Sequence, residues 1–164
     1  MLKDRAWIAM RIPHQGAMCL LDEVLAWNER ELRCLSRSHR SMEHPLRAHG
    51  CLGVAAGIEI AAQCMAVHGT LTACAPDAAT LTATARSATP SAGYLAGLRA
   101  VTFYVERLDL IVEDLIATVQ CRGSNAMMAV YDFSLTGGTR LLVAGRATIV
   151  SSTPVRSSSV RSAT

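Results

Sequence analysis

One long apolar segment constrains the fold of this chain more than any other feature. Residues 52 to 67 read LGVAAGIEIAAQCMAV, and this Ala-rich composition favours a helix. His68 and Gly69 follow, and glycine is a common residue just beyond a helix C-terminus. A helix that is apolar nearly all round is enclosed by other parts of the protein. The segment therefore predicts a central helix from Leu52 to Val67.

Short segments on both sides of this helix have the composition of β-strands. Residues 20–27 and 31–38 predict a hairpin, and Gly-rich turns separate later segments. The later strands are predicted at Tyr94–Val105, Leu110–Cys121, Ala126–Leu135 and Leu141–Val150. Two strands, one helix and four strands predict an α+β fold in which an antiparallel sheet wraps around the helix. A dimer is expected, because such a sheet otherwise leaves its edges open.

The length of 164 residues predicts one domain, which we place at residues 1–150. Within it, residues 70–92 are small, low in complexity and interrupted by two prolines, which predicts a long loop or insertion. Residues 151–164 are rich in Ser and Arg and predict a disordered tail. The N-terminal residues lack the long apolar region of a signal peptide, so a cytoplasmic location is expected.

Composition and motifs exclude several classes of function. A net charge of +3 and few aromatic residues argue against nucleic-acid binding, and no apolar run is long enough for a membrane span. The six cysteines form no C-x-x-C pair, so we expect free thiols and no metal site. The sequence also lacks a phosphate-binding glycine loop and a G-x-S-x-G nucleophile motif.

Glu59 is the one charged residue between Val54 and Val67, and Gln63 lies four positions later on the same helix face. In an enclosed helix, loss of hydration favours the protonated carboxyl group, which suits a general acid. The alternative is a narrow solvated stripe on a surface helix. A surface helix usually has a wider polar face.

Histidines and glycines near the helix are the other candidates. His14, His44 and His49 lie in predicted loops that could face Glu59, whereas a structural role is expected for His39 and for His68 at the helix end. Three glycines crowd the helix start, where they allow either close packing or the approach of a substrate carbonyl to helix N–H groups. These are Gly50, Gly53 and Gly57.

Three motifs together resemble the hotdog-fold 3-hydroxyacyl-[acyl carrier protein] dehydratases, in particular the branch associated with aryl polyene-type pigment pathways. IPHQGAMCLLDEV at residues 12–24 is similar to the N-terminal Pro-His signature of that family. GIEIAAQ at residues 57–63 is similar to its helix motif. GYLAGLRAVTF at residues 93–103 is similar to the strand that follows, with a weaker likeness at residues 145–147.

The resemblance implies that a histidine removes the α-proton of a 3-hydroxyacyl thioester while Glu59 protonates the departing hydroxyl group. It also places the Gly57 region near the thioester carbonyl. The residues expected to bind substrate are Gly57, Gly53, Gln63 and His49. The His-Phe-Pro triplet of the fatty-acid dehydratases is absent, and His44-Pro45-Leu46 comes nearest to it. We therefore rank His44 before His14 as the base, with His49 third, and also consider that no histidine is suitably placed.

Three functions follow from this resemblance. The first is a homodimeric dehydratase that forms a trans-2-enoyl thioester and needs no cofactor, because the phosphopantetheine arm arrives with the acyl carrier protein. Its acidic carrier is expected to meet basic residues such as Arg47, Arg99 or Arg146. The second is a hotdog acyl thioesterase. The third is a non-catalytic acyl-binding subunit that forms a heterodimer with another hotdog chain.

Overall fold

A computed structural model describes residues 3–73 and 93–151. In this part of the chain, the helices and strands are, in chain order, α1 Arg5–Ala9, β1 Glu23–Trp27, β2 Glu31–Ser36, α2 Ala56–Ala73, β3 Gly93–Phe103, β4 Leu115–Ser124, β5 Met128–Gly137 and β6 Arg140–Ser151. The six strands form one antiparallel sheet in the order β1-β2-β4-β5-β6-β3. This arrangement confirms the predicted α+β hotdog class.

Helix α2 packs against one face of the sheet. Buried residues alternate with half-buried ones along β4 and β5, so alternate side chains point toward the helix. The buried face of the sheet includes Leu115, Ala117 and Val119 of β4 and Phe133 and Leu135 of β5. Ile60, Ala61, Cys64 and Val67 of α2 pack against this face and are fully buried. These contacts exclude the interpretation of α2 as a surface helix.

The predicted bounds of α2 are wrong at both ends. Leu52 and Val54 precede the helix instead, because they form backbone hydrogen bonds with the segment before β4: Val54 N–H donates to Glu106 O, and Leu108 N–H donates to Leu52 O. Val54 lies in the turn that leads into α2. At the other end, the helix continues through Gly69 to Ala73. Residues 70–73 therefore belong to α2, and residues 74–92 and 152–164 lie outside the described part of the chain.

The predicted start of β4 is also too early. Ile111 N–H donates to Leu108 O, which turns the chain before the strand begins at Leu115. His39 Nε2 lies 3.1 Å from Ile111 O, and Arg40 donates to Val112 O. These bonds hold the turn against the short 3₁₀ helix Ser38–Arg40, so Leu110 and Val112 remain exposed instead of joining the sheet.

Histidines 39 and 68 are both buried, as their predicted structural role requires. The reason given for His68 is wrong, since α2 continues beyond it and the ring lies inside the protein. Its Nδ1 lies 3.0 Å from Tyr131 Oη, and its Nε2 lies 3.0 Å from Asn28 O. Burial lowers the pKa of His68, so the ring is held in its neutral form.

Cys19, Cys34, Cys51, Cys64 and Cys121 are free thiols, and the sixth cysteine, Cys74, lies outside the described residues.

Candidate active site

Glu59 lies in the first turn of α2. Its side chain is 32% exposed, although its neighbours Ile60 and Ala61 are fully buried. The carboxylate is therefore partly exposed, and a ligand can contact it.

His14 lies in the connection between α1 and the short 3₁₀ helix Gly16–Met18. The neighbouring Gln15 side chain fixes this connection by donating to Ala9 O at 2.7 Å, and Arg5 donates to Gly16 O at 3.0 Å. These bonds hold His14 Nε2 at 3.1 Å from Glu59 Oε1. The Nδ1 atom of His14 is buried and has no hydrogen-bond partner among the described residues. Nε2 is therefore the ring nitrogen that can exchange a proton with a ligand.

Gln63 links Glu59 to the N-terminal segment. One N–H of its amide donates to Glu59 Oε1 at 3.0 Å, and the other donates to Met18 O at 2.8 Å. Leu20 N–H donates to Gln63 Oε1 at 2.8 Å. Because the amide is fully buried and already bonded through both its nitrogen and its oxygen, Gln63 orients Glu59 from inside the protein.

Glu59 and His14 line a cavity of about 860 Å³. The cavity follows α2 from Glu59 to Ala73. Gly69 lies ten residues after Glu59, which is about 15 Å farther along the helix axis. Most of its walls are apolar, which suits a hydrocarbon chain better than a polar ligand. Its walls include Ala62, Met65, Ala66, Leu95, Tyr131 and Ile149.

The other predicted site residues lie away from this cavity. His44 is buried, and its Nδ1 accepts a hydrogen bond from Leu46 N–H at 3.1 Å. His49 is exposed in a tight turn, with a φ of 51°. Gly53 is exposed and pairs with Arg107 through an isolated β-bridge. The structure thus brings together Glu59, His14 and Gln63, and it does not bring His44, His49 or Gly53 to them.

Gly57 serves the packing of α2. A Cβ at this position would lie 2.8 Å from Leu135 Cδ2 and 3.1 Å from Val143 Cγ1, so any side chain here would force these two buried side chains to move. The first N–H groups of α2 are already bonded: Ala56 and Gly57 donate to Gly53 O and Val54 O at 3.1 and 2.9 Å. These N–H groups are therefore not free to bind a substrate carbonyl.

The three arginines expected at the tunnel mouth do not line the cavity. Arg47 is mostly buried and lies 3.7 Å from Asp109, and Arg146 pairs with Asp132 at 2.6 Å. Arg99 is exposed, and its position on β3 lies opposite Arg146 of β6 in the sheet. Arg11 lies at the cavity instead, with its guanidinium group stacked 3.7 Å from the centre of the Trp7 ring.

Within residues 3–73 and 93–151, no group of three or more His, Cys, Asp and Glu side chains is arranged to hold a metal ion. The helices of this same part are all too short or too polar to cross a membrane.

Sequence reasoning missed most of the cavity wall. Small residues recur on α2 roughly once per turn after Glu59, at Ala62, Ala66, Gly69 and Ala73. This pattern was the available signal for a groove along the helix. Other parts of the wall come from β3, β5 and β6. No pattern within one segment reveals which residues of distant strands meet in the wall of the cavity.

Solved structures share this fold. The chain is similar to a dehydratase heterocomplex, ApeI:P from Xenorhabdus doucetiae, with a TM-score of 0.73 and 21% identity over 90% of this chain and 91% of that chain. It is also similar to a mutant thioesterase from Pseudomonas aeruginosa, with a TM-score of 0.52 and 13% identity over 78% of each chain. For the PaaI protein of an E. coli phenylacetic acid degradation operon, the TM-score is 0.52, with 14% identity over 77% and 80% of the two chains.

A search of curated proteins found no match. A family model described as ApeP dehydratase matches residues 7–159, which is nearly the whole chain. This match confirms the resemblance inferred from the Pro-His, helix and strand motifs. The chain belongs to the ApeP-like dehydratase family.

Proposed function

We propose that this chain removes water from a 3-hydroxyacyl thioester carried by an acyl carrier protein and releases the trans-2-enoyl thioester. The contact between His14 Nε2 and Glu59 Oε1 in the wall of a mostly apolar cavity is the observation that carries this proposal. Dehydration needs one base and one acid close together, because the proton and the hydroxyl group leave from adjacent carbons. Membership of a dehydratase family supports the same reaction.

In the proposed reaction, His14 Nε2 takes the proton from the carbon next to the thioester carbonyl. The electrons of that C–H bond form the new C=C bond as the C–O bond breaks, and Glu59 gives its proton to the departing hydroxyl group, which leaves as water. Proton transfer across the 3.1 Å contact then returns the pair to its starting state. Gln63 holds the carboxylate in place during these steps.

We also propose that a second hotdog chain pairs with β3. Ten of the eleven residues of this strand are exposed, and among the described strands it pairs with β6 alone. Its exposed residues include Tyr94, Leu95, Leu98 and Phe103. A long apolar edge strand is usually covered by another chain. The similar dehydratase from Xenorhabdus doucetiae is a heterocomplex, which supports a partner of the same fold.

Product analysis tests the proposed reaction. The purified chain, alone and with any hotdog chain that co-purifies with it, is given 3-hydroxyoctanoyl-acyl carrier protein, and the carrier is analysed by intact mass spectrometry. A loss of one water with the thioester intact supports dehydration. Release of free acid and free carrier thiol identifies a thioesterase instead. Activity that resides in the partner chain alone identifies this chain as a non-catalytic subunit.

A further inference from the structure

The two glycines of α2, Gly57 and Gly69, differ in what surrounds them. Gly57 has Leu135 and Val143 where a side chain would begin, so packing requires glycine there. At Gly69, an added Cβ would meet no atom of the described residues within 4 Å, and the backbone is not in the left-handed region. Neither packing nor backbone conformation in the described residues explains a glycine at position 69.

Glycine at position 69 also weakens the helix that contains it. Position 69 lies inside α2, four residues before its end at Ala73. Glycine loses more backbone freedom than alanine when it enters a helix interior, so alanine would be more stable there. Glycine at position 69 therefore destabilises α2 and provides no packing contact among the described residues.

Gly69 and Thr70 are among the residues that line the cavity, and Gly69 is exposed. It lies ten positions after Glu59, which places it about 15 Å farther along the helix axis. Ala62 and Ala66 line the wall between these two positions. A chain bound with its reacting carbons at Glu59 and running along α2 reaches Gly69 only when it is long.

We propose that Gly69 keeps the far part of the cavity open and so determines that long acyl chains are accepted. This inference rests on the proposed function, because it places the reacting end of the substrate at Glu59 and His14. A large side chain at position 69 closes the far part and leaves the part near Glu59 unchanged. Short substrates are then processed as before, and long substrates are rejected.

The test compares Gly69→Leu and Gly69→Phe with the wild-type protein on 3-hydroxybutanoyl, 3-hydroxyoctanoyl and 3-hydroxyhexadecanoyl carrier substrates. Relative to wild type, kcat/KM for the longest substrate is expected to fall at least about tenfold in Gly69→Phe, and less in Gly69→Leu. For the shortest substrate, kcat/KM is expected to change by less than about twofold. An equal change for short and long substrates, or no change for either, contradicts the proposal.

Gly123→Phe is the matched control. Gly123 is exposed at the end of β4, it lies outside the cavity, and an added Cβ there meets no described atom within 4 Å. This variant should keep the wild-type dependence on chain length. Thermal unfolding of each variant shows whether the protein has remained folded.

A binding measurement separates this proposal from the proposed function. Saturated butanoyl- and hexadecanoyl-pantetheine, which cannot lose water, are titrated into wild type and Gly69→Phe by calorimetry. Weaker binding of the long thioester alone supports the role of Gly69 even if the wild-type protein dehydrates no substrate. Unchanged binding of the long thioester overturns the role of Gly69 whether or not the protein is a dehydratase.

Discussion

His14 Nε2 lies 3.1 Å from Glu59 Oε1, and both residues belong to the same chain. The connection after α1 supplies the histidine and the first turn of α2 supplies the carboxylate, so the fold itself joins two segments that are far apart in sequence. Gln63 bonds to both segments through Glu59, Met18 and Leu20.

Replacing Gln63 should affect both stability and the pH dependence of catalysis. Gln63→Leu leaves Leu20 N–H and Met18 O without their buried partner, so we expect a loss of about 1–3 kcal/mol in the free energy of unfolding. Gln63→Glu places a second carboxylate beside Glu59, and like charges oppose ionisation. The limb of the pH profile of kcat/KM that reports the carboxylate should then move to higher pH. An unchanged profile in Gln63→Glu contradicts the positioning role of Gln63.

Alanine at the two glycines of α2 should change stability in opposite directions. Gly57→Ala forces a methyl group against Leu135 and Val143, and overpacking of this kind costs about 1–3 kcal/mol. Gly69→Ala meets open space and removes a helix glycine, so a gain of roughly 0.5–1 kcal/mol is expected. Urea unfolding of both variants measures the two changes. A loss of stability in Gly69→Ala shows that the glycine has a packing role after all.

Acid should destabilise the folded protein through its buried histidines. Burial lowers the pKa of His39, His44 and His68, so each favours its neutral form in the folded chain. In the unfolded chain these rings take up protons as the pH falls through about 6.5. The unfolded state then binds more protons than the folded state. The free energy of unfolding therefore decreases as the pH falls through this window.

Urea unfolding at a series of pH values between about 8 and 5 measures this linkage. His68→Gln should reduce the dependence on pH, whereas His49→Asn should retain it because His49 is exposed and Asn tolerates its positive φ. Stability that is constant or rises as the pH falls from about 7 to 5.5 contradicts the expected linkage.

A charge on β3 should disturb assembly without unfolding the chain. Leu98 is 39% exposed near the middle of this edge strand, so Leu98→Lys places an ammonium group on the surface that we propose a second hotdog chain covers. Light scattering of wild type at increasing concentration should show a dimer or a complex, and the variant should shift toward the single chain. Leu110→Lys, at an exposed position outside the sheet, is the control. Equal assembly in wild type and both variants contradicts an interface on β3.

The sequence predicted those features whose residue pattern lies within one segment of the chain. The apolar helix, the strands and the lone charge at Glu59 could be predicted, because each depends on residues close together in the chain. The ends of α2 could not, since Leu52 and Val54 pair with residues near 107 and Gly69 keeps a helical backbone. Choosing between His14 and His44 required the path of the N-terminal segment, which is fixed by tertiary contacts to Gln63.

The central claim is that Glu59 and His14 together carry the dehydration. Its most direct test is kcat/KM on 3-hydroxyoctanoyl-acyl carrier protein for Glu59→Gln, His14→Asn and the double variant, with His49→Asn as the control. We predict that each single variant loses about 10²–10⁴-fold, that the double variant loses little more than either, and that the control keeps wild-type activity. Wild-type activity in either Glu59→Gln or His14→Asn would contradict the account.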